Sequence, residues 1–181
     1  AEPGATVLVG RDATLARLRH AGPSGVLHFA THAVEDPHSA SRGGLVLAGA
    51  DPLLTPDEIE KLGIGADLVT LSGCGTMGST RYAGEGSFGL ARGFLVGGAR
   101  SVVTTRWQVG DRAASRMMQL FYAGLRTGLP RDVCLARASE QLEREGFPAR
   151  DCRAFLLIGV PDAPVQRWSA GAAGRSSGAG K

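Results

Sequence analysis

The stretch Ala66-Asp-Leu-Val-Thr-Leu-Ser-Gly-Cys-Gly-Thr76 restricts the fold more than any other part of the chain. Asp67 to Leu71 is apolar and β-branched and lies between glycine-rich sequences, the pattern of a short buried strand. It runs directly into Ser72-Gly73-Cys74-Gly75. Glycines let the backbone turn sharply and leave a side chain between them uncovered. In open α/β sheets, ligands bind at the carboxyl ends of the strands. The plain alternative for Cys74 is a packing role, since free cysteine is among the most buried residue types. A site between two glycines at a strand end is an unusual one for packing.

Gly25-Val-Leu-His-Phe-Ala-Thr-His32 has the same shape: a short apolar strand that ends in a histidine, followed by a polar loop from Val34 to Arg42. Two strands thus deliver a reactive side chain at the same relative place. If they are adjacent and parallel, His32 and Cys74 meet at one edge of the sheet, as a thiol nucleophile and its base require. His28 lies four positions before His32, and alternation puts both on one strand face. A metal pair is conceivable, but no third ligand is near in sequence, so a packed core histidine is the expectation.

The remaining chain alternates strands with helices. Ala5 to Val9 reads as a strand, and Asp12 as the cap of a helix over Ala13 to His20. Gly44 to Ala48 is a further strand. Thr55-Pro56-Asp57-Glu58 carries a capping residue, a proline at the first helical position and a glutamate three residues after the cap, so a helix starts there. After a glycine-rich loop from Gly75 to Gly86, a helix is expected over Ser87 to Val96, then a buried strand over Ala99 to Arg106. Asp111 is the expected cap of a helix from Arg112 to Thr127. A helix from Arg131 to Glu145 and a last strand within Arg153 to Val160 follow. Such alternation implies a mostly parallel sheet covered on both faces.

At 181 residues and 43% hydrophobic content, the chain suits one core. Its charge of +3 is spread along the chain, so it lacks the footprint of a nucleic-acid binder. No apolar run approaches the ~18 residues of a membrane span, and the N-terminus lacks a signal-peptide pattern. Three cysteines fit no zinc framework, so no metal or cofactor is expected, and a reducing cytoplasm is the expected compartment. Cys134 and Cys152 have no partner motif and read as inert. Gly73-Cys-Gly-Thr-Met-Gly78 matches a dinucleotide fingerprint, but glycines rather than a helix follow it, and no acid stands about twenty residues on. The domain is expected over 1–163, with 164–181 a disordered Gly/Ala/Ser-rich tail.

The sequence resembles the CHAT-domain family, caspase-like cysteine peptidases of the same clan as caspases and separase. The matching segments are Leu27-His-Phe-Ala-Thr-His32, Leu45-Val-Leu47, Leu53-Leu-Thr55 with Glu58-Ile59, and Ala66 to Thr76. They continue through Gly84-Glu-Gly86, Gly89-Leu-Ala-Arg-Gly-Phe94, Gly98-Ala-Arg-Ser-Val-Val103, Trp107 with Asp111, and Ala154-Phe-Leu-Leu-Ile-Gly159. The match runs in order from about Val7 to Val160.

The resemblance implies a caspase-like three-layer α/β sandwich with a mostly parallel central sheet, and peptide-bond hydrolysis by a His32–Cys74 dyad. It implies an oxyanion hole from the N–H groups of Ala33 and Cys74. It also implies an extended substrate paired along the edge of the strand Ser101 to Trp107, so that Thr105 and Trp107 contact it. An acidic pocket residue, Asp111 or Glu85, would favour a basic side chain next to the scissile bond. Partners on this view are a protein or peptide substrate and a regulatory protein, with no nucleic acid and no membrane. Three departures stand out. Ala33 occupies the position where the family usually has glycine, and Arg106 one where it has a hydrophobic residue. The family's N-terminal strand and helix are expected to be missing, with 1–163 then the C-terminal part of the family domain. The competing function is a catalytically inactive CHAT-like module that binds other proteins.

Overall fold

A computed structural model describes residues 5–20, 24–36, 39–50, 52–72, 85–162 and 165. Two sheets organise them. The larger holds β1 (Ser24–Phe29), β5 (Ala66–Leu71), β6 (Ser101–Thr105) and β7 (Phe155–Gly159) in the order β1-β5-β6-β7. β1 and β6 each run parallel to β5, whereas β7 is antiparallel to β6. The smaller sheet holds β2 (Ala33–Asp36), β3 (Ser39–Val46) and β4 (Leu53–Leu54) in sequence order, all antiparallel.

Alternation along β5 and β6 sends side chains to both faces, so the central sheet is the middle layer of a sandwich. Val69, Leu71 and Val102 face a core with Ile59 of α2 (Pro56–Leu62) and Leu90, Ala91 and Phe94 of α3 (Glu85–Val96). Leu68 and Val103 face a second core with Met117 and Phe121 of α4 (Asp111–Arg126) and Ala138 and Leu142 of α5 (Arg131–Arg144). Each fully buried Leu, Val or Phe contributes roughly 1.5–3 kcal/mol by leaving water. The short helix α6 (Ala149–Cys152) leads into β7.

Local chemistry sets the boundaries. The α2 start is the expected capping box: Glu58 N–H donates to Thr55 Oγ1 at 3.3 Å, and Thr55 N–H donates back to Glu58 Oε2 at 3.0 Å. Gly63 ends the helix with φ of 58°, a left-handed conformation that favours glycine. Other boundaries differ from the expectation. Residues 5–9 form no strand, and α1 spans only Leu15–Arg19, capped by Thr14 rather than Asp12. Thr14 bridges Ala48, and Ala48 N–H donates to the Ala13 carbonyl at 2.8 Å, which holds this backbone extended and delays the helix. The expected polar loop from Val34 to Arg42 contains the β2–β3 hairpin instead. Its composition reads as loop, but antiparallel backbone pairing does not depend on apolar side chains. In α4, Gly110 takes the cap position and Asp111 is the first helical residue.

One further expectation is overturned. The strand Ser101 to Trp107 is not an open edge: β6 lies between β5 and β7, and its pairing with β7 covers Ser101 to Thr105. Arg106 N–H continues the contact to the Ala154 carbonyl at 2.9 Å. The last strand closes that side by pairing along it. No described helix is long and apolar enough to cross a membrane.

The turn out of β7 is tightly built. Gly159 has φ of 104°, and a methyl group there would press on the Arg100 carbonyl oxygen and come within 2.9 Å of Ser101 Cα. Gly159→Ala is therefore expected to destabilise the fold by about 2–3 kcal/mol, from strain and overpacking together. Urea unfolding would show a lower midpoint at unchanged slope.

Candidate active site

The site is built from the carboxyl ends of β1 and β5. Their parallel register pairs His28 with Thr70 and Phe29 with Leu71. Ser72 N–H then donates to the Phe29 carbonyl at 3.1 Å and carries the ladder one step further. His32 follows Phe29 by three residues, and Cys74 follows Leu71 by three. The two strands therefore release their reactive residues at matched offsets. Cys74 itself lies outside the described residues, as does the glycine-rich stretch from 73 to 84.

His32 is exposed, and its backbone is held by β3. The His32 carbonyl accepts from Val46 N–H at 2.8 Å, and Thr31 Oγ1 donates to the Val46 carbonyl at 2.6 Å. Ala33 comes next and pairs with Leu45. Hydrogen-bonded and non-hydrogen-bonded pairs alternate along an antiparallel ladder. The bond between Val46 and His32 makes 32/46 a hydrogen-bonded pair, so the Ala33 N–H at the next pair points away from β3. β2 is an edge strand of its sheet. The Ala33 methyl is buried in the first core, and no described non-glycine residue has positive φ. Alanine fits this backbone without strain.

His28 occupies a more structured place than a packed core histidine. It reaches solvent, and its two ring nitrogens are both engaged: Nε2 with Ser72 Oγ at 2.6 Å, and Nδ1 with Tyr122 Oη at 2.7 Å. The Tyr122 and His28 rings also touch, with centroids 5.6 Å apart. Although an edge of the residue reaches solvent, the ring is desolvated where it packs between Ser72 and Tyr122, and this lowers the pKa of His28 below its ordinary value and favours the neutral ring. Burial pushes the Tyr122 phenol up to about 12, while the Thr70 hydroxyl acts in the other direction. Neither Ser72 nor Tyr122 belongs to a sequence motif that marks it as functional. A polar residue at the strand end, in register with the His28 strand, was the available signal for Ser72. Tyr122 lies 94 positions from His28 and gave none.

The other candidates are spread around this end of the sheet. Thr105 closes β6 and is 3% exposed, inside the protein. Trp107 is half-buried against the second core, and its indole N–H donates to the Arg150 carbonyl at 3.2 Å. Asp111 is exposed at the start of α4. Glu85 is the first residue of α3, and its side chain lies outside the described atoms. Cys134 and Cys152 are buried, with burial raising both thiol pKa values. Their thiols donate to the carbonyls of Leu129 and Phe147, at 3.6 and 3.7 Å. Among the described residues no group of three or more His, Cys, Asp or Glu side chains is gathered to hold a metal.

A mostly parallel central sheet flanked by helices is consistent with a caspase-like sandwich. The CHAT domain family model matches residues 1–174, nearly the whole chain, and the chain belongs to the CHAT-domain family. No curated protein matches it.

The pKa directions give a testable pH profile. The unfolded chain protonates His28 near 6.5, whereas the fold resists it. Stability is therefore full above 6.5 and is lost as pH falls through 6.5 towards the lower folded value. A second loss follows at lower pH. The two-pronged contact from Arg116, at 2.6 and 2.8 Å, holds Glu145 at about 2 against an ordinary 4.5. That contribution is lost as pH falls from 4.5 to 2. Thermal melts from pH 8 to 2 are expected to show both steps, with His28→Gln removing only the upper one and Glu145→Gln only the lower.

Proposed function

We propose that this chain is a cysteine endopeptidase that hydrolyses peptide bonds with His32 and Cys74. The observation that carries the reading is the β1–β5 register, which starts both reactive residues at equal offsets from the paired residues Phe29 and Leu71. A free thiol with pKa near ~8.5 is only a few per cent thiolate at neutral pH, and a neighbouring imidazolium lowers that pKa. In this mechanism His32 takes the Cys74 proton, and the thiolate attacks the scissile carbonyl carbon. The carbonyl oxygen becomes an oxyanion held by the N–H groups of Cys74 and Ala33. The outward direction of the Ala33 N–H supports that role. Each such donor is worth roughly 3–4 kcal/mol in the barrier. His32 then passes its proton to the leaving amine, and water, deprotonated by His32, releases the acyl group from sulfur.

Because β6 has a neighbour on both sides, the substrate docks beyond its end, along Trp107 to Asp111. Asp111 and Glu85 are the acidic groups proposed to select a basic side chain, Trp107 walls the subsite, and Thr105 supports it from within. The substrate is a protein or peptide, and a regulatory partner protein controls access. The compartment proposed is the cytoplasm.

The test is the alkylation rate of each cysteine against pH, by mass spectrometry on mapped peptides. Cys74 is expected to label fast below pH 7 and to slow at least tenfold in His32→Ala, with Cys134 and Cys152 slow throughout. A peptide library is then expected to show cleavage that Cys74→Ala abolishes. Labelling of Cys74 at the rate of the buried cysteines, unchanged in His32→Ala, would reject the dyad and leave a protein-binding module.

A further inference from the structure

We propose that Ser72, His28 and Tyr122 form a positioning device for the dyad. On this reading, which rests on the proposed function, the chain of three side chains fixes the carboxyl end of β5 against that of β1. It thereby sets the point from which the Cys74 segment leaves the sheet.

Three elements meet at one imidazole. His28 belongs to β1, Ser72 follows β5, and Tyr122 comes from α4. The backbone ladder between β1 and β5 ends, among the described residues, with Ser72 N–H on the Phe29 carbonyl. The bond from Ser72 Oγ to His28 Nε2, at 2.6 Å, is a second tie at the same residue. A backbone bond leaves the strand end free to pivot about it, whereas backbone and side-chain bonds together fix its direction. Ser72 stands two residues before Cys74, and His28 four before His32. Ser72 is the last described residue before Cys74, so the direction of the chain at Ser72 is where that segment starts.

The proton inventory suits a neutral, directional chain. A neutral imidazole has one donor nitrogen and one acceptor nitrogen. The phenol is the more acidic of the two hydroxyls, so it donates to Nδ1. The ring proton then sits on Nε2 and donates to Ser72 Oγ. Burial favours the neutral ring that this pattern needs and keeps the phenol protonated. An apolar trio would fill this space without desolvating an imidazole. What the polar chain adds is a fixed orientation. None of the three residues is assigned contact with substrate, so each acts through the segment it holds.

The experiment uses the full chain and the pH profile of Cys74 alkylation in the wild type, Ser72→Ala, Ser72→Thr, Tyr122→Phe and His32→Ala. Ser72→Ala is expected to move the inflection upwards by about one pH unit, a roughly tenfold slower labelling at low pH, because the thiol no longer sits where imidazolium stabilises it. Ser72→Thr, which keeps the hydroxyl, restores the wild-type profile, and Tyr122→Phe shifts it in the direction of Ser72→Ala. Slow labelling of Cys134 and Cys152 in every variant shows that the fold is intact. Profiles of Ser72→Ala and Tyr122→Phe that superimpose on the wild type, with those cysteines protected, overturn the positioning role while leaving the dyad in place. Wild-type Cys74 labelling at the rate of the buried cysteines, indifferent to His32→Ala, rejects the dyad itself and the positioning role with it.

Discussion

The parallel pairing of β1 with β5 is the constraint on which the rest of the molecule depends. A one-residue slip in this register would send every side chain of one strand to the opposite face. Phe29 would leave the first core, and His28 would leave Ser72 and Tyr122. The two cores enforce the pairing from above and below, since β5 gives Val69 and Leu71 to one and Leu68 to the other. The register thus serves both stability and the candidate chemistry. The same hydrophobic burial that holds the sheet together also aligns the ends of β1 and β5, from which the two candidate residues follow.

What the sequence made legible follows from which forces are local. The capping box at Thr55 and Glu58 could be read residue by residue, because every partner lies within one turn of helix. The β5 strand could be read because a strand buried on both faces is mostly apolar. The antiparallel return of β7 could not, because strand direction is set by the path of α5 and α6 rather than by the residues of Phe155 to Gly159. The pairing of β7 along β6 turns β6 from an expected open edge into an interior strand. The hairpin over residues 33–46 was hidden for the opposite reason: its bonds are backbone bonds, and its side chains carry loop-like composition. Around the candidate site, the two strands β1 and β5 were legible from pattern. The engagement of His28 was not, since Tyr122 reaches it from a helix far along the chain.

The interior position of β6 changes how an extended peptide can approach. Strand addition needs a row of free backbone donors and acceptors, and β6 spends its own on β5 and β7. Arg106 is committed as well, to Ala154. The stretch after it, residues 107–110, carries no strand assignment and ends at the start of α4. Trp107 is anchored there by its indole, so one end of the stretch is fixed. The Arg106 departure from the family pattern falls at the boundary between the paired and unpaired backbone, where an exposed side chain meets solvent rather than core.

The alanine after His32 is the departure that bears most directly on the proposed catalysis, and its backbone conformation can be read directly. Glycine matters at such a position when the chain must adopt positive φ or when another group must approach too closely for a methyl. Neither applies at Ala33. Its φ is not positive, and its methyl fills part of the first core beside the strand it pairs with. The N–H points outward whichever of the two residues stands there, because its direction is set by the bond between Val46 and His32 one step earlier. Glycine would remove a buried methyl and widen the conformations open to the residue that follows the candidate base. Alanine instead ties that residue to the core, so the donor proposed for the oxyanion is held by packing as well as by the ladder.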